Sequence, residues 1–397
     1  MNIAQPPAAE LWKATLGGNT RRVAEALRRL GPCTRSELIA AVGLSRPTVT
    51  ATVAELVASG LAAEGVGDGS ARLGTGRPAS VVRLTRAAGL AAGVDIGRRH
   101  IRVAIADLGH QILAERAERL REDADDNPGP VLDLAAELVV NALAELSGAT
   151  SELVGVGLGI PAPITLAGRI GSPMLLPGWA HLAPAEEFAG RLGVPVLLGN
   201  DANLGALGEH QWGAGRGCPV LVYVKMATGI GAGIVIDGRL FVGSAGTAGE
   251  LGHVTIDARG PVCRCGNRGC VELSAGGRAL VEQARLTYPE LADVADLVRL
   301  ATSGDPGCRR LLSDAGALIG IALSGLVNLI NPDRIVLGGE LGAANEIMLE
   351  PLRRGLAESA MPAAVSTVQV SRGLLADRAS ALGGIALVLR DPAPATR

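Results

Sequence analysis

The strongest chemical signal in the sequence is a cluster of three cysteines with a histidine ahead of it. Cys263, Cys265 and Cys270 all fall in one glycine-containing stretch of eight residues, and His253 lies ten residues before the first of them. Three thiolates and one imidazole can converge on one ion as a tetrahedral Cys3His site, a set that is typical of structural zinc. Because protein ligands would fill all four positions, the predicted Zn2+ holds the loop and activates no water. The alternatives are unligated buried thiols or a disulfide.

A second group of residues is of the kind that reads DNA. Small polar and cationic side chains begin a short predicted helix, the end from which a recognition helix contacts base edges and phosphates. A further arginine lies in a glycine-rich loop, from which it can enter a narrow minor groove. The predicted DNA-binding residues are Ser45, Arg46, Pro47, Thr48, Thr50 and Arg77. The alternative is a module that makes only protein contacts.

Charge is distributed unevenly along the chain. The net charge is −2, but residues 1–86 hold eleven Lys and Arg against six Asp and Glu, whereas the remaining residues hold 26 against 33. A basic head on an acidic body suits a nucleic-acid-binding module joined to a sensor, although charge alone supports this only weakly.

Composition excludes several classes of protein. With 48% hydrophobic and 19% charged residues, the chain is expected to be folded and globular. No apolar run approaches the roughly 20 residues of a membrane-spanning helix, and the N-terminus lacks the pattern of a signal peptide. We therefore expect a cytoplasmic protein with no membrane partner. The length of 397 residues predicts two or three domains.

The elements that must position the DNA-binding residues can be predicted from the first 86 residues. Apolar spacing predicts a helix over residues 19–30. Thr34 and Glu37 have the spacing of a capping box, which predicts the start of a second helix. Ser45 is the expected cap of a third helix, with Pro47 in its first turn. The glycine-rich stretch that follows predicts two strands joined by a wing loop, and therefore a winged helix-turn-helix domain over residues 1–86.

From about residue 90, apolar strands alternate with helices, which predicts an α/β fold. The predicted strands cover residues 91–96, 101–106, 154–160, 194–198, 220–225, 230–236 and 334–337. The predicted helices cover residues 131–146, 309–330, 346–357 and 379–389.

The motif around the cysteines is similar to the signature of a known family. The run from Gly249 to His253, Gly-Glu-Leu-Gly-His, is followed by Cys-x-Cys-Gly-x-x-Gly-Cys-x-Glu from Cys263 to Glu272. This spacing resembles the ROK family, whose name joins repressors and sugar kinases, and the resemblance covers almost the whole chain. It implies a two-lobed actin-like and hexokinase-like domain of the ribonuclease H-like ATPase fold over residues 87–397. Lobe 1 would cover about 87–202 with the C-terminal helix, and lobe 2 about 203–378. The resemblance also implies a homodimer or homotetramer.

The resemblance further implies which residues bind a sugar. In the family, the Glu and His of the first run and the Glu after the last cysteine contact sugar hydroxyls, which here are Glu250, His253 and Glu272. Asn200 and Asp201 match the family's Asn-Asp-Ala-Asn run, whose Asp is the general base for the attacking hydroxyl. An ordinary turn and solvated loop acids are the alternatives for these residues.

The sequence departs from a sugar kinase at the turn that should hold phosphate. Phosphoryl transfer requires backbone amides that cradle the phosphates, together with a metal ion. The family's first glycine turn reads Asp-Ile-Gly-Gly-Thr, whereas this chain continues from Gly97 into Arg98 and Arg99. We expect Arg98 to obstruct close backbone approach, although both arginines can also bind phosphate. Glu340 in a later loop would repel a nucleotide, so we expect no efficient kinase activity and a vestigial role for Asp201.

Together these observations predict a sugar-responsive, DNA-binding transcriptional regulator. The favoured form is a repressor that a sugar or sugar derivative releases from operator DNA. One alternative is a ROK-type ATP-dependent sugar kinase that acts on a hexose or amino sugar. Another is a DNA-bound scaffold without any ligand.

Overall fold

The structure is a computed structural model that describes residues 16–66 and 80–390. Its N-terminal part is a small head, in which three helices and three strands are described. The helices are α1 (Gly18–Leu30), α2 (Arg35–Val42) and α3 (Arg46–Ala58). The strands β1 (Cys33–Thr34), β2 (Ala62–Val66) and β3 (Ser80–Leu84) form an antiparallel sheet in the order β1-β3-β2. Arg77 lies outside the described residues.

Short-range signals in the sequence explain where the helices of the head begin. The Thr34 side chain accepts from the Glu37 amide, and the Glu37 carboxylate accepts from the Thr34 amide, which confirms the predicted capping box. Gly43 ends α2 in the left-handed conformation, with φ of 64°. Ser45 caps α3 through the Thr48 amide, with Pro47 in the first turn, as predicted.

The rest of the chain contains two five-stranded sheets with the same topology. The first has the order β6-β5-β4-β7-β8 and the second β11-β10-β9-β12-β13, so that in each sheet three antiparallel strands are followed by two parallel ones. The first sheet comprises β4 (Leu90–Ile96), β5 (His100–Asp107), β6 (Ile112–Arg119), β7 (Leu153–Ile160) and β8 (Val196–Asn200). The second comprises β9 (Val220–Met226), β10 (Ile230–Ile236), β11 (Arg239–Leu240), β12 (Arg334–Gly338) and β13 (Gln369–Arg372).

Helices cover both sheets. They are α4 (Pro128–Glu145), α5 (Pro184–Leu192), α6 (Asp201–Trp212), α7 (Glu272–Ala275), α8 (Gly277–Ala284), α9 (Val294–Thr302), α10 (Pro306–Ile330), α11 (Asn345–Ser359), α12 (Pro362–Val365) and α13 (Ala379–Arg390). The strands and helices predicted from periodicity are all present, with ends that differ by a few residues. The predicted α/β fold class, a winged helix head with a two-sheet domain, is confirmed.

The C-terminal helix α13 returns to the first sheet and lies close to it. Glycines make this approach possible, because a Cβ at Gly93 or Gly157 would collide with the backbone of α13. Helix α6 packs on α13 in the same way, through Gly383 on one side and Gly208 on the other. The two helices therefore form a buried pair that joins the sheets.

Helix α10 is, among the described residues, the one helix long and apolar enough to cross a membrane. Its buried side chains, which include Leu312, Ile319 and Leu323, belong to the core beside the second sheet. Gly320 lies against the backbone of α11. Packing inside the protein therefore accounts for its apolar composition.

Candidate functional site

One cavity collects the residues that the sequence predicts to bind a sugar. It lies where turns at the carboxyl ends of β4, β8, β9 and β12 meet, so that both sheets contribute to its walls. Asn200, Asp201, Glu250, His253 and Glu272 all line it.

Asn200 and Asp201 hold their positions because they begin helix α6. The Asn200 Oδ1 atom accepts from the amides of Ala202 and Asn203 at 3.0 and 3.1 Å, and its Nδ2 atom donates to the Ala162 carbonyl at 3.1 Å. Asp201, which is 9% exposed, accepts from the Ala202 amide at 2.8 Å through Oδ1. The two residues are therefore a helix cap and part of the cavity wall at once.

Lys225 lies against Asp201, a contact that sequence reasoning missed. Its Nζ atom donates to Asp201 Oδ2 at 2.9 Å and to Ser380 Oγ at 3.2 Å, and lies 3.7 Å from Asp95 Oδ1. Burial opposes the charge of Lys225, but the two carboxylates outweigh it and raise the pKa of Lys225 above its usual value. The ammonium therefore stays charged. The sequence could have pointed to Lys225, because it is one of only two lysines in the sequence and lies in an apolar strand.

Glu250 and Glu272, two of the glutamates that line the cavity, have different surroundings. Glu272 accepts from the Ile230 amide at 3.0 Å and from the Arg264 guanidinium at 3.1 Å, which ties the β9–β10 turn to the cysteine loop. Glu250 has His253 as its nearest cationic neighbour, with 4.0 Å between Oε2 and Nε2. Burial raises the pKa of Glu250 to about 7, with Asp201 and Glu272 adding to the shift. Of these two carboxylates, Glu250 is therefore the more open to a new hydrogen bond.

The four predicted metal ligands come together beside the cavity. Their ligand atoms all lie within 4.8 Å of one another. The Sγ atoms of Cys265 and Cys270 are 3.7 Å apart, and Cys263 Sγ lies 3.6 Å from His253 Nδ1. A tetrahedral zinc ion with bonds of about 2.3 Å to sulfur and 2.0–2.1 Å to nitrogen would have edges of roughly 3.6–3.8 Å. The group can therefore hold one such ion, and His253 would bind it through Nδ1 while Nε2 faces Glu250.

The first glycine turn is closed by a residue that sequence reasoning did not single out. The imidazole of His100 covers Gly97 so closely that a Cβ there would overlap the ring. His100 Nε2 pairs with Asp95 Oδ2 at 3.1 Å, and the Gly97 amide donates to the His100 carbonyl at 2.9 Å. The closure that we expected from Arg98 therefore comes from His100.

The Arg98 side chain points toward an acidic loop and does not cover the first glycine turn. Its Nη1 atom donates to Asp123 and Asp125, both at 3.2 Å, and its Nη2 atom donates to the Leu175 carbonyl at 2.8 Å. Arg99 is exposed and donates to the Arg121 carbonyl at 3.1 Å. The phosphate-binding role considered for Arg98 is therefore opposed by its two carboxylate partners.

The predicted DNA-binding residues that the structure describes lie together at the N-terminal end of α3. Ser45, Arg46, Pro47 and Thr50 are exposed, and Thr48 is half-buried. The Ser45 and Thr48 hydroxyls are 2.7 Å apart, so each already has a partner in the absence of DNA. Arg46 is the cation of this group. Val49 and Val53 on the opposite side of the helix are buried in the head.

Fold and site together define a class of protein in which a winged helix head is joined to a two-sheet domain of the sugar-kinase type. Residues 91–391 match the ROK family, and the chain belongs to this family.

Relatives of this chain include both regulators and a kinase. It is 28% identical over 372 residues to the xylose repressor of Caldicellulosiruptor bescii, covering 90% of this chain and 92% of the relative. It is 31% identical over 312 residues to the glucokinase of Thermotoga maritima, covering 75% of this chain and 96% of the relative. Among solved structures, a ROK family transcriptional regulator described as a homologue of the Escherichia coli MLC protein is 25% identical. That match has a TM-score of 0.73 and covers 94% of this chain and 95% of the other.

Proposed function

We propose that this protein is a sugar-responsive transcriptional regulator that binds operator DNA through α3 and is released from it by a sugar. The sugar would lie in the cavity, with its hydroxyls on Asn200, Asp201, Glu250, His253 and Glu272. Carboxylates suit this role because each accepts more than one directional hydrogen bond. The likeness to a xylose repressor over nine tenths of the chain supports a regulator, and we place the protein in the cytoplasm.

The observation that carries the proposal is that side chains able to hydrogen-bond with hydroxyls line a cavity whose first glycine turn is closed by His100. Phosphoryl transfer requires backbone amides that are free to cradle phosphate. The Gly97 amide is bonded within the turn, and both oxygens of Asp201 already accept a hydrogen bond, Oδ2 from Lys225 and Oδ1 from the Ala202 amide. Binding a sugar without phosphorylating it is the chemistry that this arrangement favours.

We also propose that the His253 and cysteine cluster holds a structural Zn2+. The ion would fix the loop that carries Arg264 and Glu272, and it would orient the Nε2 atom of His253 toward the cavity. The division into a DNA-binding domain over residues 1–86 and a sugar-binding domain over 87–397 is part of the same proposal, as is assembly into a homodimer or homotetramer.

The second candidate function is an ATP-dependent sugar kinase. Asp201 and the glycines of the β9–β10 turn favour it, as does the likeness to a glucokinase. A coupled assay with ATP and a panel of hexoses and amino sugars separates the two functions. Turnover above roughly 1 per second, the lower range of kinases, would favour the kinase.

The proposed function is tested by binding to the DNA upstream of the chain's own gene, titrated with candidate sugars in a mobility-shift assay. We expect the bound fraction to fall with one of the sugars. Asp201→Asn should impair this response more than it impairs DNA binding, whereas Asp126→Asn, an exposed residue of the loop near Arg98, should leave both unchanged. An intact sugar response in Asp201→Asn would remove Asp201 from the site.

A further inference from the structure

Three of the four Lys and Arg side chains that line the cavity are already paired with carboxylates. Arg98 pairs with Asp123 and Asp125, and Arg264 pairs with Glu272. Lys225 lies between Asp95 and Asp201. Arg99 alone has no carboxylate within 4.0 Å among the described residues, and it is exposed at the rim.

The carboxylates of the cavity outnumber these cations. Four carboxylates line it, namely those of Asp201, Glu250, Glu272 and Glu340. Three more, those of Asp95, Asp123 and Asp125, lie behind the wall as partners of its cations. Seven carboxyl groups and four Lys or Arg cations therefore lie in or directly behind the wall, an excess of acids that remains when Glu250 is protonated. A phosphate or carboxylate group placed here would meet net repulsion, strengthened by the low dielectric of a partly enclosed cleft.

Four backbone donors around the cavity are also occupied. The Gly97 amide bonds to the His100 carbonyl, and the Ile230 amide bonds to Glu272. The amides of Ala202 and Asn203 at the start of α6 bond to Asn200. These N–H groups, at the first glycine turn, at the first residue of β10 and at the start of α6, are thus taken by the protein itself.

We propose that the cavity takes an uncharged sugar and discriminates against sugar phosphates and sugar acids. This rests on the proposed function and narrows the class of effector. The acceptors of the wall bind hydroxyl protons, which a neutral sugar supplies in number, whereas an anionic group would leave at least one wall carboxylate facing it.

Calorimetry with matched ligand pairs tests the proposal. The full-length protein is titrated with glucose, mannose, galactose, fructose and N-acetylglucosamine, each against its own 6-phosphate, and with xylose against its 5-phosphate. For any pair that gives heat, we expect the phosphate to bind at least tenfold more weakly. A phosphate that binds as tightly as its parent sugar, or more tightly, overturns the proposal. Absence of binding by every sugar would instead overturn the proposed function, and this inference with it.

A variant pair tests the electrostatic cause. The quantity compared is the ratio of the Kd of the sugar phosphate to the Kd of its parent sugar. Asp123→Asn combined with Asp125→Asn frees Arg98, so this ratio should fall several-fold. Asp126→Asn changes the charge of the same loop without contacting Arg98 and should leave the ratio unchanged. Equal ratios in the double variant and the wild type would contradict the assignment of Arg98 as an occupied cation.

A different observation concerns the far end of helix α6. The helix begins at Asn200 and Asp201 in the cavity and ends at Gln211 and Trp212 beside the head. Gln211 Nε2 donates to His110 Nδ1 at 2.9 Å, and Trp212 Nε1 donates to the His110 carbonyl at 3.2 Å. The helix of 12 residues spans about 18 Å.

His110 carries this contact into the head. Its Nε2 atom donates to the Arg28 carbonyl in the last turn of α1 at 2.7 Å, and its ring packs on Gly31, where a Cβ would come within 2.7 Å of it. The carbonyl can only accept, so Nε2 carries the proton and Nδ1 accepts from Gln211. Since His110 is 8% exposed, the junction has little freedom to adjust locally.

We infer that α6 and His110 transmit sugar binding to the DNA-binding head, a mode of regulation that rests on the proposed function. Residues 201–209 of α6 are all buried, so the helix is expected to move as one body when its first turn adjusts to a ligand. Any such shift reaches the end of α1 through two hydrogen bonds.

The coupling factor is the measurement that tests this inference. It is the ratio of the DNA Kd with saturating sugar to the Kd without it, determined with the effector found in the sugar panel. Gln211→Ala and His110→Asn should each lower the factor at least fivefold, with the sugar Kd and the sugar-free DNA Kd within twofold of the wild type. Gln369→Ala, at an exposed glutamine on β13, is the matched control.

An unchanged coupling factor in both variants would overturn the inference. A wild-type coupling factor of 1 would overturn the proposed function first, and the inference with it.

Discussion

At the scale of single residues, Lys225 and His100 have the greatest effect on what the cavity can do. We proposed Asp201 as the counterpart of the base of a kinase of this family, but an ammonium 2.9 Å away satisfies one of its oxygens. His100 covers Gly97 and pairs with Asp95, and its carbonyl accepts from the Gly97 amide, so that amide is closed to phosphate. Neither residue lies in the cysteine motif that carried the resemblance to the family.

Replacing one predicted metal ligand should remove the metal. We expect Cys265→Ser to lower the zinc content of the purified protein well below one ion per chain, because a serine hydroxyl is a poor substitute for a thiolate. The melting temperature should fall as well, since the loop loses its fixed point. Metal analysis by mass spectrometry measures the first effect and calorimetry the second.

Cys218→Ser is the matched control, because Cys218 is partly buried and lies outside the cluster. It should keep the zinc content of the wild type. Full zinc occupancy in Cys265→Ser would refute this ligand set.

The stability of the protein should depend on pH through His110. Burial lowers the pKa of His110 to about 4 from its usual value of 6.5, and the nearby Arg390 adds to the shift. Below pH 6.5 the unfolded chain binds a proton at this site and the native state does not, so stability is retained above pH 6.5 and lost as pH falls toward 4. The loss between pH 7 and pH 5 should be about 2 kcal/mol.

Urea unfolding of the wild type and of His110→Asn at pH 7 and pH 5 measures this. Asparagine tolerates the left-handed backbone of this position, where φ is 68°. If the two proteins lose the same stability over this interval, His110 does not titrate as argued.

At the scale of elements, the contact between α6 and α13 depends on glycine. A Cβ at Gly383 would collide with the Leu204 carbonyl, so Gly383→Ala must push the helices apart. We expect a loss of about 1–3 kcal/mol in the free energy of unfolding, the usual cost of overpacking.

Gly325→Ala is the matched comparison within a helix. Gly325 is an exposed position of α10 with no atom near its missing Cβ. Alanine should stabilise the protein there by about 0.4–1 kcal/mol, because it restricts the unfolded chain. Denaturant titration gives the free energy of unfolding of both variants. Equal changes in Gly383→Ala and Gly325→Ala would contradict the tight contact between α6 and α13.

The recognition helix has its own test. Arg46→Ala should weaken operator binding by about 1–3 kcal/mol, the value of one good base contact. Arg278→Ala, which removes an exposed arginine of α8, should leave operator affinity unchanged. Fluorescence anisotropy with labelled operator measures both, and wild-type affinity in Arg46→Ala would refute the assignment of α3.

At the scale of the whole molecule, regulation requires that sugar and DNA affect each other equally. If a sugar lowers the affinity for DNA by some factor, DNA must lower the affinity for the sugar by the same factor. A dimer would also present two heads to a two-fold operator.

We therefore expect a solution mass of two or four times the 40.2 kDa of one chain. Light scattering after size-exclusion chromatography measures the mass with and without DNA. A monomer that binds one half-site at full affinity would contradict the assembly proposed here.

The sequence by itself determined the local features of this protein. The capping box at Thr34, the cap at Ser45 and most strand and helix positions follow from interactions between residues close in the chain or from simple periodicity. The spacing of the cysteines and His253 was likewise sufficient to predict a metal-binding group, because the loop is short.

Only the tertiary structure decided which distant residues meet. Lys225 is 24 positions from Asp201, Arg98 is 25 and 27 from its two carboxylates, and His110 is 82 from the carbonyl that it binds. Such pairs depend on how sheets and helices pack, and charge alone gives no preference among the many acids and bases of the chain. Strand β6 escaped prediction for a related reason: its side chains are half-buried or exposed at a sheet edge, so the apolar pattern that marks an interior strand is weak.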